Sequence, residues 1–157
     1  MTPLQQLTEL QWKHDCSRTK MPPDYVPKTK FTDKTANGLT KAIIAWVNLN
    51  GGFAERINTT GRMLDNTKIV KDALGFSRKI GSVNWIKGTG TNGSADISAT
   101  VNGKSWKIEV KIGKDRQSEA QKEYQERTER SGGIYTIAKT FDEFYCQWLG
   151  ITNPPTE

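Results

Sequence analysis

The residue types best able to do chemistry in this chain are two acids and a lysine flanking one turn: Asp96, Glu109 and Lys111. Between Asp96 and Glu109 sits Asn102-Gly103, the dipeptide best suited to the two positive-φ positions of a type I′ hairpin turn. A two-residue loop there pairs Val101 with Lys104, and counting outward pairs Thr100 with Ser105, Ala99 with Trp106, Ile97 with Ile108 and Asp96 with Glu109. Cross-strand partners have Cβ atoms roughly 4.5–5.5 Å apart, and like charges so placed destabilise a sheet unless something offsets the repulsion. A divalent cation does so: Mg²⁺ prefers oxygen ligands and is commonly held by one or two carboxylates together with water and phosphate oxygens. Period-2 geometry puts Lys111 on the face of Glu109 and turns Ile108, Val110 and Ile112 to the other side. A lysine so placed can orient an attacking water or stabilise charge growing on phosphoryl oxygens. The chemistry these ingredients suit is metal-assisted hydrolysis of a phosphodiester. On alternation alone the same residues, with Ser98 and Lys107, equally describe a solvated sheet face carrying weak Lys–carboxylate pairs.

The elements that must hold this hairpin are legible around it. Ala95, Ile97, Ala99 and Val101 alternate with polar residues, as do Trp106, Ile108, Val110 and Ile112, which predicts two half-buried strands. Upstream, Leu39, Ile43, Trp46 and Val47 follow helical spacing up to a stop at Gly51-Gly52, and Phe53 to Ile57 reads as a short strand. Thr59 to Ile86 is ambiguous, with a helix or turn near Thr67 to Leu74 and a strand near Ser82 to Ile86. Downstream, Ser118 to Arg130 predicts a very polar helix and Ile134 to Ala138 a buried strand. Thr140 and Glu143 form a capping box opening a last helix, which carries Phe141, Phe144, Tyr145, Trp148 and Leu149 on one face and stops at Gly150. The expected fold class is α/β, a central mixed sheet of about four or five strands flanked by helices. Residues 1–35, with Pro22, Pro23 and Pro27 and no sustained periodicity, are expected to form a loosely packed basic arm. Residues 36–150 form the domain in this reading, and 151–157 a frayed tail.

The segment Gly93-Ser94-Ala95-Asp96-Ile97, followed by Ile108-Glu109-Val110-Lys111 and then Gln117-Ser118-Glu119-Ala120-Gln121, resembles the PD-(D/E)xK nuclease superfamily, especially its VRR-NUC branch. Gly132-Gly133-Ile134-Tyr135 and Thr140-Phe141-Asp142-Glu143-Phe144 continue the likeness. It covers Gly88 to Phe144 well and Leu39 to Arg62 more loosely. The resemblance implies a restriction-endonuclease-like core and Mg²⁺, with Mn²⁺ as substitute, bound at Asp96 and Glu109, with Val110 counted among the metal positions. It implies Lys111 as the catalytic lysine and Gln121 as an active-site residue of the following helix, with Gln117 as its neighbour one turn earlier. The implied activity is that of an endonuclease on DNA, including structure-selective action on branched DNA, by a homodimer. In two places this chain departs from the pattern. Ala95 stands where a proline often precedes the first acid, and Leu39 to Asn50 holds no acid where many relatives carry a glutamate ligand on the first helix. Either Glu55 on the next strand or no residue at all takes that place. The same gap supports an alternative, a non-catalytic nucleic-acid-binding module on the same fold.

Composition narrows the partner. A chain of 157 residues fits one domain, and a net charge of +6 with a pI near 9.3 favours a polyanion. Arg56, Arg62, Lys87 and Lys114 are candidate nucleic-acid contacts, with Lys68, Lys71, Arg78 and Lys79 further phosphate candidates among the same basic residues. Gly88-Thr89-Gly90-Thr91-Asn92-Gly93 matches GxGxxG, but a dinucleotide site needs a helix directly afterwards and a strand follows here. The run is expected to be a loop, either mobile or open to a nucleic-acid backbone. Trp85 is the tryptophan considered for base stacking. The mean hydropathy is −0.68, no apolar run approaches the roughly 20 residues of a membrane span, and the N-terminus lacks an apolar signal segment. Cys16 and Cys146 lie far apart and His14 is the single histidine, so no Cys/His zinc site is expected and the thiols read as reduced, in a cytoplasmic protein.

Overall fold

A computed structural model describes residues 1–59, 61–88 and 90–153. In chain order the elements are α1 (Pro3–Ser17), α2 (Ala36–Leu49), β1 (Phe53–Arg56), β2 (Arg62–Asp65), β3 (Lys68–Lys71), β4 (Ser77–Ile80), β5 (Val83–Ile86), β6 (Ile97–Val101), β7 (Lys104–Val110), α3 (Glu119–Arg130), β8 (Ile134–Ala138) and α4 (Phe141–Thr152). Two compact units result: Met1–Ile57 with Gly93–Glu157, and Asn58–Asn92. The single domain expected over 36–150 therefore carries a separate unit inserted between β1 and β6.

The larger unit is built on the predicted hairpin. Asn102 and Gly103 have φ of 50° and 74°, both positive as the turn requires. β6 and β7 pair antiparallel in the expected register, from Val101 opposite Lys104 to Ile97 opposite Ile108. β1 joins β6 antiparallel and β8 joins β7 in parallel, giving a mixed four-stranded sheet in the order β1-β6-β7-β8. The fold is thus α/β, with this mixed sheet and four α-helices among the described residues.

Alternation sorts the sheet into two faces. Ala54, Ile97, Ala99, Val101, Trp106, Ile108, Val110 and Ala138 are buried against α2, α4 and α1. There Trp106 stacks on Phe144 and Trp148, with ring centroids 5.6 and 6.3 Å away, and its Nε1 donates to Thr136 Oγ1 at 2.9 Å. An aromatic so enclosed supplies both buried apolar area and a satisfied polar handle. The other face holds Ser98, Lys107, Glu109 and Tyr135, and α3 packs over its β8 side.

Several expectations are corrected. The loosely packed arm of residues 1–35 is, over its first half, helix α1. Thr2 caps it, Pro3 occupies its first turn, Thr2 and Gln5 form a reciprocal capping box, and Leu7 is fully buried in the core. The helix or turn near Thr67 to Leu74 is strand β3 followed by a turn in which Asp72 N–H donates to Phe76 O at 2.9 Å. The strand expected near Ser82 to Ile86, by contrast, is present as β5. α4 runs past Gly150 to Thr152, and Leu149 is 39% exposed instead of joining Phe141, Phe144 and Trp148 in the core. One glycine costs a helix only about 1 kcal/mol relative to alanine, too little to end one docked by three aromatics. The Thr140 cap forms, but Glu143 reaches back to Lys139 N–H at 3.0 Å instead of Thr140. Of the tail expected to fray over 151–157, Ile151 and Thr152 are instead helical, and 154–157 lie outside the described residues. Cys16 and Cys146 are free. No helix among the described residues is long and apolar enough to cross a membrane.

Candidate active site

Three elements converge on the face opposite the aromatic core. β6 and the residue before it bring Asp96, β7 and its extension bring Glu109 and Lys111, and the first turn of α3 brings Gln121. Asp96 lies one residue outside the paired part of β6. Its backbone oxygen accepts from Ile57 N–H at 2.8 Å, and its carboxylate Oδ2 accepts from Val110 N–H at 2.9 Å. The expected strand-to-strand pairing of Asp96 with Glu109 is therefore replaced by a carboxylate turned onto the peptide next to Glu109. The two acids still feel each other, because the Asp96 charge helps hold the Glu109 carboxyl above its ordinary value.

Glu109 is 2% exposed, unusual for a carboxylate without a full set of partners. Its Oε1 accepts from Gln121 Nε2 at 2.5 Å and from Lys111 Nζ at 3.1 Å. Its Oε2 is buried and has no hydrogen-bond partner among the described residues. Burial is the main cause pushing its pKa up, followed by the Asp96 charge, and the Lys111 and Gln121 contacts offset this only in part.

Lys111 is 7% exposed. Burial disfavours its charge, but the hydrogen bond and charge of Glu109, with Asp115 at 3.6 Å, outweigh that and raise its pKa. It is an ammonium with donors only. Gln121 fastens the site to the helix. Its Oε1 accepts from Lys111 Nζ at 3.1 Å and from Ser118 N–H at 3.0 Å, while its own N–H donates to Ser118 Oγ at 3.3 Å. The capping box that starts α3 and the shell around Glu109 thus share one amide.

The last residue of the glycine run, Gly93, meets α3. Gly93 has φ of 75°, and a Cβ there would lie 2.2 Å from the Ala120 carbonyl oxygen and 2.8 Å from Gln121 N. Its backbone seats the first turn of α3. Thr89, in the same run, lies outside the described residues.

Other expected residues stand elsewhere. Val110 presents its N–H to Asp96 and its side chain to the core, so its carbonyl is the only group it could offer a metal. Gln117 donates to Gln125 Oε1 at 3.0 Å and to the Tyr135 hydroxyl at 3.4 Å, one step removed from Glu109. Glu55 is exposed opposite Ser98, and it does not complete a third acid. Among the described residues no group of three or more Asp, Glu, His or Cys converges. Arg56 donates to Asn37 Oδ1 at 3.0 Å and pairs with Ile97, on the other face of the sheet. Lys114 is exposed in the loop after β7, and Arg62 and Lys87 belong to the inserted unit.

Two further residues join the site without having been expected from the sequence. Tyr135 is buried, and burial above all, with the charges of Glu109 and Asp96 adding, pushes its hydroxyl up to about 12. Asp115 is the second anion beside Lys111, and its spacing of four from that lysine is the signal that marks it. Compared with models of protein families and with curated proteins, the chain matches none.

Proposed function

We propose that this chain is a Mg²⁺-dependent endodeoxyribonuclease, a VRR-NUC-like PD-(D/E)xK enzyme with a restriction-endonuclease-like core, for which Mn²⁺ substitutes. The observation that carries the reading is Glu109 Oε2, a buried carboxylate oxygen with no hydrogen-bond partner among the described residues, beside a second carboxylate. An anionic oxygen left in that state is costly, and a cation shared with Asp96 supplies what it lacks. Two carboxylates, completed by the Val110 carbonyl, water and phosphate oxygens, are the donor set that Mg²⁺ takes. When bound, such an ion polarises a phosphoryl oxygen and makes water a better nucleophile.

The chain's own groups do the remainder. Gln121 and Lys111 occupy Glu109 Oε1 and so fix the carboxylate with Oε2 left for the ion. The Val110 N–H fixes Asp96 in the same way. Lys111, a donor only, acts by orienting water or by stabilising charge on a phosphoryl oxygen, not by taking a proton. The basic charge of the chain supports a DNA partner, and a homodimer is part of the reading that the resemblance suggests.

The test is cleavage of supercoiled plasmid and of labelled duplex, flap and junction DNA. Nicking is expected with Mg²⁺, and none with EDTA or in Asp96→Ala; the panel also decides whether branched forms are preferred. A second reading, a non-catalytic nucleic-acid-binding module, is favoured by the absence of a third acid among the described residues. It predicts DNA binding with no cleavage in either metal.

A further inference from the structure

The inserted unit Asn58–Asn92 holds none of the residues that make up the site described above. Within it β2 pairs with β5 and β3 with β4, and Asn66 N–H donates to Ser82 O at 3.1 Å between them, so Arg62–Ile86 is one long two-stranded hairpin. Every residue of these four strands is exposed. Such a ribbon is marginal in water by itself and open along both edges. Its composition therefore reports what it is built to meet.

The unit holds Arg62, Lys68, Lys71, Arg78, Lys79 and Lys87 against Asp65 and Asp72, a net charge of +4 out of +6 for the whole chain. Both acids are spent on turns. Asp65 Oδ1 accepts from the N–H and the hydroxyl of Thr67, and Asp72 Oδ1 accepts from the N–H groups of Leu74 and Phe76. None of the six cations forms an ion pair among the described residues. In β3 and β4 every rung carries one cation: Lys68 opposite Ile80, Ile69 opposite Lys79, Val70 opposite Arg78, and Lys71 opposite Ser77. Alternation sends Lys68 and Arg78 to one face of the ribbon and Lys71 and Lys79 to the other. The turn between them exposes Leu74 and Phe76, at 83% and 68%.

A ribbon with cations on both broad faces and an apolar tip matches a slot with anionic walls. The major groove of duplex DNA, about 12 Å wide, admits a two-stranded β-ribbon and is walled on both sides by phosphates. A second copy of the ribbon, with the same +4, lacks that complementarity.

We propose that the Arg62–Ile86 hairpin is a DNA-gripping arm, seated in a duplex groove with Lys68, Lys71, Arg78 and Lys79 on phosphates of both walls. The choice of DNA over another polyanion rests on the nuclease reading, but gripping does not require cutting, so the two fail separately. The experiment measures fluorescence anisotropy of labelled duplex DNA with the full chain in EDTA, across a salt series. The wild type is set against a Lys68→Gln, Arg78→Gln, Lys79→Gln triple variant, and an unchanged melting temperature shows that the fold is kept. The variant is expected to bind about tenfold or more weakly at moderate salt, with the log–log salt slope shallower by about one for each phosphate no longer neutralised. Arm-dependent binding in EDTA, with no cleavage by the wild type once Mg²⁺ is supplied, sustains the arm and sinks the nuclease reading. Wild-type affinity and slope in the triple variant overturn the arm and leave its lysines as guards of an open sheet edge; so does a wild-type chain that binds no duplex. Unchanged DNA affinity with a shift from dimer to monomer in sedimentation overturns it in favour of a contact between copies.

Discussion

At the scale of single residues, the proposed chemistry depends on how Glu109 is held. Its carboxyl is pushed above its ordinary value of 4.5 by burial and by Asp96. A group with a raised acid pKa binds its proton more tightly folded than unfolded, so without metal the fold loses stability as pH rises from 4.5 through the raised value. Thermal melts in EDTA are expected to show this fall in the wild type and to lack that component in Glu109→Gln. Mg²⁺ is expected to restore stability in the wild type alone, by mass action on the folded state. Lys111→Ala is expected to keep the fold and metal binding while kcat drops about 100-fold or more, the scale set by losing one preorganised donor to developing charge. Near-normal turnover in that variant would remove Lys111 from the chemistry.

At the scale of elements, the site depends on the seating of α3 as much as on the hairpin. Gly93→Ala places a Cβ 2.2 Å from the Ala120 carbonyl at a residue with φ of 75°, a change expected to cost about 1–3 kcal/mol and to shift Gln121 away from Glu109. The measurement is denaturant unfolding alongside cleavage rate, with activity expected to fall further than stability explains. What the sequence shows and hides follows the range of each signal. The β6–β7 register is readable because Asn102-Gly103 and the flanking alternation are local; Glu109 and Lys111 come together as their spacing suggests, and Gln121, named by the resemblance alone, joins them. The turn of Asp96 onto Val110 N–H is not readable, since it depends on where β6 ends and on Ile57 holding the Asp96 backbone. Helix α1 is hidden although Thr2, Pro3 and Gln5 spell a capping box, because its apolar positions are sparse. The hairpin Arg62–Ile86 shows no clear period because its strands are exposed on both faces, which leaves no apolar side for alternation to mark.

At the scale of the whole molecule, the chain divides its labour between two units. One carries an aromatic core that braces the back of a four-stranded sheet and leaves the front polar, and the other carries +4 of the chain's net charge of +6. The core braces the sheet that carries Glu109 on its other face, so Trp106→Ala is expected to cost about 3–5 kcal/mol and to abolish metal binding through loss of the fold, read out as loss of the cooperative melt. The claim on which everything else depends is that Asp96 and Glu109 share a divalent ion that cutting requires. The measurement is a Mn²⁺ titration in which bound ion, by electron paramagnetic resonance, and plasmid nicking are followed in the same samples. Binding and nicking are expected to rise together in the wild type and to vanish together in Asp96→Ala; nicking that survives chelation, or tight Mn²⁺ binding that survives the loss of Asp96, contradicts that claim.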